Sequence, residues 1–212
     1  MLAGIFVFGS VWGLLECVLG GARVGVGAME RLPMGAVLTG TVALALMVST
    51  RRLYGTPGMQ VGMALVAGLL RFWAPVGSYV ICSALAIVAE GVVFEAIMLS
   101  PSLALSRLRT PALSYLGIVT GFTIYLIGYT FTQMTTPIAA GEAPVLADVA
   151  SVIPLGLGRG LLAALTGALV LPLAAHVDAL HIDLGRVRRE HYYPFTASVT
   201  AVCWIAFAVL FW

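Results

Sequence analysis

Seven runs of about 17–25 predominantly apolar residues follow one another along this chain, and no connection between them is long enough to hold a soluble domain. A run of that length crosses the ~30 Å hydrocarbon core of a bilayer as an α-helix, which satisfies every backbone N–H and C=O without water. The runs cover residues 2–21, 33–50, 57–73, 78–99, 111–134, 151–176 and 194–212. Composition points the same way. Of 212 residues, 61% are hydrophobic and 9% charged, whereas about 25% charge is usual for a soluble domain, so a water-facing surface cannot be built. The expected fold is all-α, a polytopic membrane helical bundle of about seven transmembrane helices, and the expected location is the cell membrane, as a multi-pass protein.

Several runs start on Pro or Ser, as helix N-termini prefer: Pro33, Pro57, Pro111, Ser151 and Pro194. The first run carries neither a basic leader nor an Ala-x-Ala cleavage site, so it reads as a retained helix. Arginine supplies all eleven basic residues. Arg51 and Arg52 follow the second run, Arg107 and Arg109 the fourth, and Arg186, Arg188 and Arg189 the sixth. Connection 135–150 holds Glu142 and Asp148 with no basic residue. The positive-inside rule then places the N-terminus in the cytoplasm and Trp212 outside; only Arg23 and Arg31 run against it. A net charge of +2 points to no nucleic-acid partner. Cys17, Cys82 and Cys203 lie apart within apolar runs and read as buried small hydrophobes.

Ionisable residues inside the runs carry the functional signal. A charge at a helix centre costs about 2.5–3.5 kcal/mol on insertion scales, and such residues usually face the bundle interior and mark a ligand or ion pathway. Glu16 lies in the outer half of the first helix, Arg71 at the outer end of the third, Glu90 near the middle of the fourth, and Arg159 in the outer half of the sixth. Glu95 is closer to the cytoplasmic side, about 140° round the helix from Glu90. Tyr125, Tyr129, Thr132 and Gln133 form a stripe on the fifth helix; Trp12 shares a face with Glu16, and Tyr79 sits at the outer end of the fourth helix. The plainer reading is internal ion pairs plus an interfacial aromatic belt. As a set at one depth, the residues favour an outward-side site for a small polar or zwitterionic organic molecule, with aromatic walls and charges that orient its head.

His176, Asp178, His181 and Asp183 could hold a divalent metal, but no second cluster completes a site, and a solvated helix end is the better reading. HExxH, GxSxG, Walker A and dinucleotide motifs are absent, so neither an enzyme nor a cofactor is expected, and the chain has no ATP-hydrolysing motif of its own.

Two short motifs, Trp12-Gly13-x-x-Glu16 within 9–20 and Glu90-Gly91 at the end of 84–91, resemble the substrate-binding (S) components of energy-coupling-factor transporters. The likeness runs to about His176. It implies a six-helix membrane protein that captures a vitamin or related micronutrient on its outer side and docks on a transmembrane coupling subunit driven by cytoplasmic ATPases. In that frame 1–212 is a single integral membrane domain: a six-helix core at 1–176, a cytoplasmic loop at 177–193 and an extra helix at 194–212. Two features depart from the pattern. The first-helix Ala-x-x-x-Ala docking seam is missing, because Ala3 is followed four residues later by Val7, leaving Gly9-x-x-x-Gly13 as the small-residue seam. The seventh helix is additional.

The leading expectation is therefore a substrate-capture subunit of a micronutrient importer. Glu16, Arg71, Glu90 and Arg159 supply charge, and Trp12, Tyr79, Tyr125, Tyr129 and Gln133 shape the pocket. The alternatives are an ion-coupled secondary carrier using Glu90 and Glu95, or a structural or assembly subunit of a larger membrane complex.

Overall fold

The computed structural model describes residues 1–21, 34–74, 80–100, 103, 105, 108–139, 149–176 and 189–212. Seven helices account for nearly all of them. They are α1 (Leu2–Gly21), α2 (consecutive segments Met34–Leu38, Thr39–Ala43 and Leu44–Tyr54), α3 (Met59–Trp73), α4 (Val80–Met98), α5 (Thr110–Ala139), α6 (Val149–Ala175) and α7 (Arg189–Phe211). The middle segment of α2 has π rather than α geometry. No strand occurs among the described residues. The chain is a polytopic helical bundle, with one helix on each apolar run.

Six of the helices are long and apolar enough to cross a membrane; α3, with 15 residues, is shorter. At about 1.5 Å per residue it reaches only ~22 Å, less than the ~30 Å apolar core. Packing compensates, since α3 lies between α1 and α4 and encloses Met59, Met63, Ala64, Ala67 and Leu70 completely. A tight turn leads into it. Gly55 (φ +61°) ends α2 in the left-handed region, its N–H donating to the Arg51 carbonyl at 3.0 Å, and Gly58 (φ +86°) precedes α3. The expected start at Pro57 therefore falls inside the turn. At the other extreme, α5 runs on to Ala139 and α7 begins at Arg189, so Pro194 lies within the N-terminal part of α7.

Round the bundle, α1 packs on α3, α3 on α4, α4 on α5 and α5 on α6, while α2 closes the ring against α6 and α3. Small residues permit these approaches, because in lipid helix association depends on close packing. A Cβ on Gly9 would stand 2.7 Å from the Met63 carbonyl oxygen, and one on Gly13 would stand 3.0 Å from Cα of Ala67. The Gly9–Gly13 seam is thus filled from within by α3.

The last helix packs chiefly on α1. Within its apolar window 17% of the residues are buried, against 39–50% in the other five spans, so α7 is peripheral. Trp204 Nε1–H donates to Ser10 Oγ at 3.0 Å, and Phe207 joins Cys17, Leu70 and Ala74 in a small apolar cluster. Trp204→Phe is expected to lower stability by about 0.5–1.5 kcal/mol, a small shift in thermal unfolding in detergent. A drop several times larger would mean that α7 is held far more tightly than this contact implies.

Candidate functional site

Glu90 is buried near the middle of α4, 7% exposed. Its Oε1 accepts a hydrogen bond from Thr39 Oγ1 at 2.8 Å. Thr39 opens the π segment of α2, an irregularity that recurs at functional sites. On the α5 side, Gly128 leaves room for the carboxylate: a Cβ there would lie 3.0 Å from Oε1. Among the described residues, Glu90 Oε2 has no hydrogen-bond partner.

On α1, the buried Trp12 donates its indole N–H to Glu16 Oε1 at 3.3 Å. Glu16 lies within electrostatic reach of Arg71, on the last turn of α3, and also of Glu90. On α5, Tyr125 and Tyr129 stack with ring centroids 5.9 Å apart and planes inclined by 21°. Tyr125 lies within electrostatic reach of both Arg159 and Glu90. The backbone glycines of α6 make space for these rings, Gly156 against Tyr129 and Gly160 against Phe122 and Tyr125.

The structure therefore brings Trp12, Glu16, Arg71, Glu90, Tyr125, Tyr129 and Arg159 into one neighbourhood, drawn from α1, α3, α4, α5 and α6. Not every candidate joins it in the expected way. Gln133 is exposed. Arg159 is also exposed rather than enclosed. It stands about 9 Å, at about 1.5 Å per residue, from the start of the span Ile153–Ala175, close enough for a long side chain to bring its charge toward the interface. Tyr79 lies outside the described residues.

Glu95 does something else. Its carboxylate accepts the backbone N–H of Gly58 through Oε1 and that of Val61 through Oε2, the latter at 3.1 Å. Those donors sit at the N-cap and in the first turn of α3, where backbone N–H groups have no acceptor within the helix. A carboxylate there also meets the positive end of the helix dipole. Arg51 braces the corner, with Nη1 4.0 Å from Glu95 Oε1 and Nη2–H donating to the Met98 carbonyl at 3.0 Å. Glu95 thus stands at the first turn of α3 and Arg71 in the last.

Sequence reasoning missed Thr39, the partner of Glu90, and Gln60, which is fully buried with Nε2 3.4 Å from the Met47 carbonyl and from Thr50 Oγ1. A Thr and a Gln within apolar runs are weak signals that could have found them. Cys17, Cys82 and Cys203 are free and buried. Of the His176–Asp183 segment only His176 is described; its ring Nδ1 lies 2.6 Å from the Pro172 carbonyl oxygen. No cluster of three His, Cys, Asp or Glu suited to a metal occurs among the described residues. Comparison with protein-family models, curated proteins and solved structures gave no match.

Proposed function

We propose that this chain is the membrane-embedded substrate-capture subunit of a micronutrient importer, resembling the S components of energy-coupling-factor transporters. It would hold a small organic molecule on the outward side of the bundle and rely on a transmembrane coupling subunit and cytoplasmic ATPases for uptake. The observation that carries the reading is the chain of electrostatic neighbours Arg71, Glu16, Glu90, Tyr125 and Arg159, which crosses five helices. Polar groups are expensive inside a membrane protein, and their gathering within electrostatic reach of one another favours a binding role. The lack of a nucleotide-hydrolysis motif in the sequence fits a subunit energised by others.

An ion-coupled carrier that uses Glu95 as a coupling acid is less well supported, because both oxygens of that carboxylate are occupied by the start of α3. Purification in mild detergent followed by mass spectrometry is expected to recover a small organic molecule together with a coupling subunit and ATPases. Solute uptake driven by an ion gradient in vesicles holding this chain alone would favour the carrier instead. Glu16→Ala is expected to lower retention of the co-purified molecule about tenfold or more while leaving expression intact. Unchanged retention would remove Glu16 from the site.

A further inference from the structure

We infer that the captured molecule carries a positively charged nitrogen and that Glu90 is the residue that recognises it; this rests on the capture reading and narrows it to an organic cation. A buried carboxylate normally has both oxygens satisfied, and an orphan acceptor in a native protein calls for an occupant. Glu90 Oε1 has the Thr39 hydroxyl, whereas Oε2 has no partner among the described residues. Three other buried polar side-chain atoms among the described residues also lack a hydrogen bond: Arg51 Nη1, Gln60 Oε1 and Thr120 Oγ1. The first stands 4.0 Å from Glu95, and the other two belong to neutral side chains. Glu90 Oε2 is thus the carboxylate oxygen in that set.

The surroundings select the sign of the partner. Glu16 is within electrostatic reach of Glu90, and two ionised carboxyls there repel each other; a cation at Oε2 relieves that repulsion, whereas an anion adds to it. Arg71 acts on Glu16, and Arg159 acts on Tyr125. The Tyr125–Tyr129 stack, whose Tyr125 is within electrostatic reach of Glu90, adds π-faces, which attract organic cations. An inorganic ion fits poorly, because hard cations take six or more oxygen ligands and a single orphan oxygen does not supply that shell.

The test uses the full chain in lipid nanodiscs, with retention of a defined set of probes measured by equilibrium dialysis. Thiamine, pyridoxamine and choline present a cationic nitrogen; biotin, pantothenate and nicotinate are anions; riboflavin and nicotinamide are uncharged. Retention is expected within the cationic group, falling about tenfold or more in Glu90→Gln, which keeps shape while removing charge. Gly128→Ala should also weaken it, since the added methyl would stand 3.0 Å from Glu90 Oε1 without altering any charge. Retention confined to anions or uncharged probes, or cation retention indifferent to both variants, would overturn the inference while leaving capture intact. A folded protein that retains no probe would overturn the inference, and the absence of any co-purified molecule would separately remove the capture reading.

Discussion

Gly117→Val is expected to separate α5 from α6 and to destabilise the bundle by about 3 kcal/mol or more. Gly117 faces Gly167 across the interface, backbone against backbone, and a Cβ on Gly117 would collide with the Gly167 carbonyl group and lie 3.1 Å from Cβ of Leu171. A flexible side chain can swing away from an added methyl, but a carbonyl embedded in a helix moves only with its helix. Because α5 and α6 form the most extensive pair in the bundle, the displacement would spread to the Tyr125 and Tyr129 platform. Thermal unfolding in detergent measures the effect. Gly158→Ala on α6 is the control, as nothing lies within 4 Å of its added Cβ. Equal stability of the two variants would refute the tight α5–α6 contact.

The second large effect is expected at Glu95. Replacement by Ala strips the acceptor from the Gly58 and Val61 N–H groups and leaves Arg51 without its carboxylate. Breaking a buried charged arrangement by removing one partner costs about 3–5 kcal/mol, and α3 is too short to absorb the loss. Glu95→Gln keeps an acceptor oxygen and should recover part of that stability. Hydrogen exchange at the Val61 amide reports the corner directly, and fast exchange is expected in the Ala variant alone. If Glu95→Ala unfolds at the wild-type temperature, the carboxylate is not what anchors α3.

The bundle was legible because lipid leaves a chain few options: each run of about twenty apolar residues had to become a helix. Partners that carry no letter of their own stayed hidden. Glu95 is matched to two backbone amides 37 and 34 residues away, and no residue type announces an unpaired N–H. The Gly9–Gly13 seam was visible, but its mate, the backbone of α3 from Met63 to Ala67, was not. Part of the site was legible because spacing by four puts Tyr125 beside Tyr129. The same arithmetic explains Gln133, since each step of four residues drifts by about 40° round the helix. Tyr125 is buried, Tyr129 half-buried and Gln133 exposed.

The short third helix has a consequence for how the protein is made. The ribosome delivers Gly58 some 37 residues before Glu95, a gap of about 2–7 seconds at ordinary synthesis rates of about 5–20 residues per second. During that interval α3 can lean on α1, whose glycines are already in place, but the clasp at its first turn is still missing. Commitment of α3 to the bilayer therefore waits for α4, and the two enter the finished protein as a hairpin fastened at its base.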